Sequence, residues 1–456
     1  MDNSAKSSFM ESDSLSSSSV KETVYKLLTV MDSESQVRKY LKRFSTEQGI
    51  KFAVIKVGGK ILKEEMSNLV NSLSFLKQVG LTPIIVHGAG PQLTEKLTNK
   101  NIDVDFINGQ RVTSPEVLKA AREVFIDENH NLTSHLKEAG VDATSFYSGV
   151  FECDLNHLDT LGLVGTITSV EAEQLLKAVR KGRVPVVSPL GETSQGQIVN
   201  VNADAATFSL AKAIQPYKII FLTETGGVLD QDGKVIPNIS IVNNYKYLIE
   251  QPWVHSGMKL KLEKIKDILE AMPTATSVSI TKPELLAKEL FTDKGSGTLV
   301  NMGEKALSSK SWSDIDQNRL KDLIESSFNK KLDANYFNDM SLYKVYVTEC
   351  YRAAVVLLNA GNTPYLDKFV VSHDAKGEGV GRALWEKVTW KHKNFFWRAS
   401  LNNPVNKFYA SVSDGYIRRG DWKVYWVGIT DFNEIQQCVE YAASKGRTVK
   451  QEVSTS

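Results

Sequence analysis

Cysteine is scarce in this 456-residue chain: Cys153, Cys350 and Cys438 stand far apart. Thiols so spaced make neither a disulfide framework nor a zinc site, and they predict three packing residues in a reducing compartment. Apolar runs are short as well, pieces such as Val355-Val356-Leu357-Leu358 being the longest. A bilayer-spanning helix needs about eighteen apolar residues, so a soluble protein is expected and no membrane partner. Charge of neither sign dominates, with Lys+Arg 55 against Asp+Glu 53 and a net +2, so the field of a nucleic-acid binder is missing. Also absent are a Walker A loop, GxxxxGK[ST], the protein-kinase signature set and any internal repeat.

What remains is the composition of a globular protein, 42% hydrophobic and 24% charged, at a length that predicts two domains or three. Residues 1–20 are serine-rich and carry Asp2, Glu11 and Asp13, so they read as a disordered tail. No arginine precedes Arg38, which argues against a mitochondrial presequence and favours the cytoplasm, with the mitochondrion as the alternative. Residues 21–49 place Val24, Leu27, Leu28 and Met31, then Val37, Tyr40, Leu41 and Phe44, at helical spacing. They predict an N-terminal helical arm, either packed on its domain or used for oligomerisation.

Residues 50–304 alternate strand-like runs with helical stretches: Phe52–Val57, Thr82–Val86, Val184–Val187, Tyr217–Leu222 and Ser277–Ile280. This rhythm predicts an α/β fold whose mostly parallel sheet is covered on both faces. Past a polar linker, Leu307–Ser311, residues 310–452 change pattern. A helix ends near Phe328, and Tyr343–Thr348, Ala353–Leu358 and Tyr365–Val371 follow as a meander of a smaller, mixed α+β domain.

Three segments of the first domain carry chemistry: Val54-Ile55-Lys56-Val57-Gly58-Gly59-Lys60, Val86-His87-Gly88-Ala89-Gly90-Pro91 and Asn200-Val201-Asn202-Ala203-Asp204. Glycine turns after buried strands let backbone N–H groups approach an anion, and a neighbouring lysine adds fixed charge. Such groups suit phosphoryl transfer, where charge stabilisation and positioning do most of the work. Lys261 adds another cation, on a helix expected over Leu260–Met272 and opened by the glycine of Ser256-Gly257-Met258. Lys60 and Lys259 read as solvated surface groups.

On these motifs, residues 51–303 resemble the amino-acid kinase family, and within it the acetylglutamate kinases of arginine biosynthesis. The resemblance implies a three-layer αβα sandwich that phosphorylates the side-chain carboxylate of N-acetyl-L-glutamate. It makes Lys56 and Lys261 the transition-state lysines and Asp204 the group that orients them. Gly58, Gly59, Gly88, Ala89 and Gly90 would contact phosphate, while Arg111, Asn200 and Asn202 would hold the acyl substrate. The run Leu222–Val228 resembles the family's nucleotide-side loop. The family's His-Gly-Gly-Gly loop appears here as His87-Gly88-Ala89-Gly90, harmless unless position 89 needs a positive φ. Mg2+ is expected to travel with ATP rather than in a protein cage, so no metal site is assigned.

The later domain carries Tyr365-Leu366-Asp367-Lys368-Phe369-Val370-Val371, then Lys376-Gly377-Glu378-Gly379-Val380-Gly381-Arg382. Strand, glycine turn and helix form a second pyrophosphate cradle. With Phe396-Trp397-Arg398 and Asn402-Asn403-Pro404 ahead of Tyr409, it resembles the GNAT-like acetyltransferase domain of the vertebrate-like N-acetylglutamate synthases, and the whole chain resembles the bifunctional synthase/kinases. That resemblance implies acetyl-CoA at Lys376, Gly377, Gly379, Gly381 and Arg382, L-glutamate at Lys330, Lys368, Arg398 and Asn403, and Tyr409 as proton donor to the leaving thiolate. A phenol of pKa about 10 suits that task. Two alternatives stand beside the bifunctional reading: a synthase whose kinase fold only senses arginine, and a kinase with a non-catalytic acetyltransferase-like regulatory domain. The resemblance also implies L-arginine feedback and a homo-oligomer, dimer or tetramer.

Overall fold

The computed structural model describes residues 52–107, 109–155, 158–254, 256–273, 276–291, 296–376 and 379–450. The expected tail, the helical arm and Gly377 lie outside them. Short β-branched runs dominate the first part, and they assemble an eight-stranded sheet. Its order is Asn238–Ser240, Thr298–Asn301, Ser277–Thr281, Lys218–Leu222, Ala53–Val57, Ile84–His87, Val184–Val187, Ala143–Phe146. The last six run parallel, with pairs such as Val54 beside Ile84 and Lys56 beside Phe221, and Thr298–Asn301 runs antiparallel to its neighbour Ser277–Thr281.

Ile55 and Val57 pack against Leu69, Leu73 and Leu76 of the Met66–Gln78 helix. Val54 points the other way, onto Ala206, Leu210 and Ile214 of the Ala203–Ile214 helix. Lys56, two residues beyond Val54, therefore leaves the sheet on the Ala203–Ile214 side, at the strand's carboxyl end. The chain moves from Ala53–Val57 to one neighbour first and returns to the other much later, which makes this strand a topological switch point. Ligands of open α/β sheets bind where such strands end. A smaller sheet of Phe151–Asp154, Thr166–Val170, Leu190–Glu192 and Ile198–Asn200 carries the chain into the Ala203–Ile214 helix.

The chain divides into two units, the second comprising Ser240–Leu248 and everything from Gly303. In it a seven-stranded sheet runs Ala306–Ser309, Leu342–Thr348, Ala353–Leu358, Tyr365–Val371, Phe395–Ser400, Trp422–Val427, Gly415–Arg419. The supposed linker from Leu307 is thus mostly an edge strand, paired antiparallel to Leu342–Thr348 and anchored by buried Ala306. Serines at exposed edge positions gave it a polar, linker-like look. Ser240–Leu248 was not separable by sequence either. Within the second unit its Asn244 donates to Glu386 and its Tyr247 ring meets Trp390 edge-on. Of the cysteines, Cys153 and Cys438 are buried, but Cys350 is exposed, because it sits in the tight turn before Tyr351, whose φ is 57°.

Candidate functional site

Lys56 ends a buried strand and Asp204 opens a helix, and the fold sets Lys56 Nζ 2.9 Å from Asp204 Oδ1. Asn202 is the reason the helix begins there. Its side-chain oxygen accepts from the N–H groups of Asp204 and Ala205 and caps the Ala203–Ile214 helix. Burial alone would raise the Asp204 carboxyl, but the charges of Lys56 and Lys261 outweigh it and hold the group below its ordinary range. Lys261 lies under the opposite pressure: desolvation lowers its pKa, against the pull of Asp204. Its Nζ also stands 5.6 Å from the centre of the Phe221 ring. The helix that carries it runs Ser256–Glu270, four residues earlier than the expected start, so Lys261 projects from the second turn. A glycine in the first turn is tolerated there, and it is the lysine side chain that reaches the centre.

Around this triad the glycines play two different parts. A Cβ on Gly59 would meet Gln92 Oε1 at 2.7 Å, Ala89 Cα at 2.8 Å and Gly90 N at 3.0 Å, so glycine is needed for two loops to pack together. Gln92 then donates to the Gly59 carbonyl at 2.8 Å. At Gly58 the nearest atom to such a Cβ is 3.9 Å away, and at Gly90 none lies within 4 Å. Open space in front of these two backbones fits a phosphate-bearing substrate. Ala89 has φ −145°, an ordinary value for alanine, so the departure from an all-glycine loop carries no strain. The adjoining His87 is buried and pairs with Ser188 Oγ at 3.2 Å, and desolvation lowers its pKa to about 4, which leaves it neutral.

Arg111 sits on the short hairpin of Phe106–Ile107 and Gln110–Arg111. Its Nη2 donates to Thr94 Oγ1 at 2.7 Å, and its guanidinium lies 4.7 Å from the Phe106 ring centre. Thr94 belongs to the Gly90–Asn99 helix, so the arginine is tied to the loop it is expected to work with. Sequence reading missed Thr94, since an i+4 hydroxyl on a helix carries no signature. Asn200 donates to Thr113 Oγ1 at 3.1 Å, and Thr113 donates to the Arg111 carbonyl at 3.0 Å, linking two expected substrate contacts. Lys60, expected in solvent, is half exposed and pairs with Glu224 at 2.5 Å.

In the second unit, Tyr365–Val371 and Phe395–Ser400 run parallel but pair only at Tyr365–Phe396 and Leu366–Trp397. The ladder stops there, and the glycine turn and the Val380–Lys391 helix follow the first of the two strands. Gly379 caps that helix at φ 78°, and a Cβ on Gly381 would press within 2.5 Å of Val371 Cγ2, so both glycines have a structural reason. Arg382 faces Glu386 at 3.4 Å, one turn on. Desolvation raises Glu386 to about 7 despite that arginine.

Tyr409 is buried among Trp385, Trp397, Phe408 and Tyr425, with ring centres 5.5 to 6.1 Å away. Desolvation, then Tyr425, raise its pKa well above the ordinary value, so the phenol stays protonated. Tyr365 interacts electrostatically with Asp367, Arg398 and Tyr409, which places the acid-side and glutamate-side candidates in one neighbourhood. Lys368 is buried against Asp367, with Thr448 Oγ1 at 2.5 Å. Arg398 donates to the carbonyl groups of Ala442, Lys445 and Gly446 at 2.5, 2.6 and 3.0 Å, closing the end of the Phe432–Ser444 helix, and lies 4.0 Å from the Trp422 ring centre. Asn403 accepts from the Val405 N–H at 2.9 Å in the turn before Tyr409's helix. Lys330 follows the left-handed cap Asn329, φ 49°, and its N–H donates to the Glu325 carbonyl at 3.2 Å. The sequence motif includes Asp367 without assigning it a role.

Family comparison matches two stretches of the chain. Residues 51–280 match the amino acid kinase family, and residues 307–445 match the N-acetyltransferase of N-acetylglutamate synthase. An acetylglutamate kinase of Xylella fastidiosa is 49% identical over 419 residues, covering 92% of this chain and 100% of that protein. Protein ARG5,6, mitochondrial, of Candida albicans is 35% identical over 420 residues, 90% of this chain and 49% of its own length. Among solved structures, an N-acetylglutamate synthase of Neisseria gonorrhoeae complexed with coenzyme A and N-acetyl-glutamate aligns over 87% of this chain and 99% of its own, with a TM-score of 0.56 and 18% identity, a likeness of fold. A kinase-type sheet with lysines and a carboxylate at its switch point, followed by an acetyltransferase-type sheet, thus belongs to a chain of the amino acid kinase family that carries the N-acetyltransferase domain of N-acetylglutamate synthase.

Proposed function

We propose that the chain transfers the γ-phosphoryl group of ATP to the side-chain carboxylate of N-acetyl-L-glutamate, and that its second unit makes that substrate from acetyl-CoA and L-glutamate. The observation that carries the first part is the Lys56–Asp204 pair at 2.9 Å, with Lys261 facing the same carboxylate beside open glycine backbones. The high identity to an acetylglutamate kinase over its full length supports the substrate. Lys56 and Lys261 face the charge that spreads over the transferring phosphoryl oxygens, while Asp204 keeps both lysines directed and attacks nothing. The N–H groups of Gly58, Gly59, Ala89 and Gly90 receive phosphate oxygens, whereas the Gly88 N–H, expected to join them, donates to the Val57 carbonyl at 2.8 Å and holds the loop on the strand; Arg111 takes the α-carboxylate with Asn200 and Asn202 on the acyl side. Mg2+ enters with ATP and neutralises phosphate charge. L-arginine, the product of the pathway, is the feedback ligand of this reading, and a dimer or tetramer in the cytoplasm is its expected form.

In the second unit, the stopped ladder beside the Gly379–Gly381 turn supports acetyl-CoA binding at Lys376, Gly377, Gly379, Gly381 and Arg382. Lys330, Lys368, Arg398 and Asn403 hold glutamate. When the neutral amine of glutamate bonds to the acetyl carbon and the carbon–sulfur bond breaks, the departing sulfur takes the proton of the Tyr409 hydroxyl, which desolvation has kept on that oxygen, and the proton shed by the amine nitrogen returns through solvent to the Tyr409 oxygen. A paired assay tests both parts: ADP formation with N-acetyl-L-glutamate, and thiol release with L-glutamate. Tyr409→Phe is expected to lower thiol release about 100-fold or more and to leave ADP formation unchanged. Thiol release at the wild-type rate in Tyr409→Phe removes Tyr409 from the mechanism, and none in wild type leaves the second unit a regulatory domain.

A further inference from the structure

Lys368 and Asp367 are neighbours in one strand, and neighbours in a strand ordinarily point to opposite faces. Here they meet. Val356 pairs with Lys368 and Leu357 pairs with Leu366, so Asp367 is the extra residue of a β-bulge. The bulge turns both side chains to the same buried side, where they are 5% and 4% exposed and form an ion pair. Asp367 Oδ2 also accepts from the Tyr336 hydroxyl at 2.7 Å, and Lys368 Nζ from its other side reaches Thr448 Oγ1 at 2.5 Å. An ammonium has three donors, and Asp367 and Thr448 take two of them.

We propose that Asp367 is a positioning residue of the acetyl-transfer site, holding Lys368 charged and aimed at a carboxylate of the amino-acid substrate. The proposal rests on the acetyl-transfer reading above. Burial, Lys445 and Arg398 all oppose the charge on Lys368, and Asp367 is the carboxylate that supports it. Asp367 in turn feels burial first, then Lys368, Tyr336 and Lys445, while Tyr365 and Tyr441 face it as neutral phenols. A lysine in such surroundings without its carboxylate sheds its proton at lower pH than an exposed one. Structural ion pairs of this kind are dispensable when both charges are replaced together, whereas a positioning pair is not.

The test is steady-state thiol release by the full chain at pH 6 to 9, for wild type, Asp367→Asn and Asp367→Glu. In Asp367→Asn the glutamate KM is expected to rise about tenfold or more at pH 8, the factor one charge-assisted hydrogen bond carries, with kcat changed less. The sign of the pH effect follows from the lysine: lowering pH returns its proton, so the KM defect shrinks towards pH 6. Asp367→Glu recovers most of the affinity. A KM that is unchanged, or that rises equally at every pH together with a loss of kcat, overturns the proposal. Should Asp367→Asn fail to fold, Tyr336→Phe and Thr448→Val each remove one partner of the cluster. They are expected to raise the glutamate KM several-fold, and wild-type KM in both overturns the proposal. Wild-type protein that releases no thiol overturns the acetyl-transfer reading itself, a result distinct from a wild-type KM in an active variant.

Discussion

Replacing Asp204 by alanine takes the carboxylate from between two lysines and leaves their charges facing one another. Asp204's side chain is 34% exposed and that of Lys56 is 17% exposed, so solvent screens the pair. Its contribution to folding is therefore small, about 1 kcal/mol or less. The catalytic consequence is larger, because an aimed cation is worth most where charge develops in the transition state. Removing one such electrostatic group costs about 3 to 4 kcal/mol, or about 100- to 1000-fold in kcat. Asp204→Ala is thus expected to melt within a few degrees of wild type while ADP formation with N-acetyl-L-glutamate falls by that factor. Thiol release with glutamate stays at the wild-type rate. The pH dependence sharpens the test. Desolvation already lowers Lys261, Asp204 opposes it, and Lys56 adds to it, so loss of the carboxylate moves Lys261 lower still. The alkaline limb of the kinase profile shifts to lower pH in Asp204→Asn. ADP formation within tenfold of wild type, with an unmoved alkaline limb, refutes the reasoning.

The glycine loops separate packing from ligand contact. Gly59→Ala drives a Cβ into the Ala89–Gly90 backbone, which cannot swing away as a side chain does, and is expected to lower stability by about 1 to 3 kcal/mol, read as a fall in melting temperature. Gly58→Ala meets no protein atom closer than 3.9 Å, so it keeps its melting temperature and raises the KM for ATP, because only a bound substrate occupies that space. Ala89→Gly is expected to leave kinase KM and kcat within twofold, since φ −145° asks nothing of a glycine, and to lower stability by about 0.5 to 1 kcal/mol through chain entropy.

Much of the kinase centre was legible in the sequence because each part is local. A β-branched run ending in Lys56-Val57-Gly58-Gly59 is a strand and its turn at once, whereas the cap that Asn202 makes for the Ala203–Ile214 helix emerges only in the structure. The strands Ala53–Val57, Val184–Val187 and Lys218–Leu222 lie where alternating runs and turn residues placed them, to within a residue. The helix of Lys261 begins four residues before the expected Leu260, because Ser256-Gly257, which reads as a turn ahead of the helix, forms its first turn. Thr94 and Ser240–Leu248 escaped for another reason: what they touch is distant in sequence, and no local pattern encodes it.

The bulge at Asp367 is the deepest case. Read as a plain strand, Tyr365-Leu366-Asp367-Lys368-Phe369 would send Asp367 and Lys368 to opposite faces, and no propensity distinguishes that register from the observed one. Tertiary packing decides it: an isolated buried lysine or aspartate is costly, whereas one bulge brings both charges, Tyr336 and Thr448 into a single satisfied cluster. The two sites therefore handle the same problem under different constraints. At Lys56–Asp204 the charges stay partly in water, so a regular strand and a helix terminus suffice to bring them together. At Lys368–Asp367 water is excluded, every polar atom needs a partner, and the backbone itself departs from its ladder to supply one.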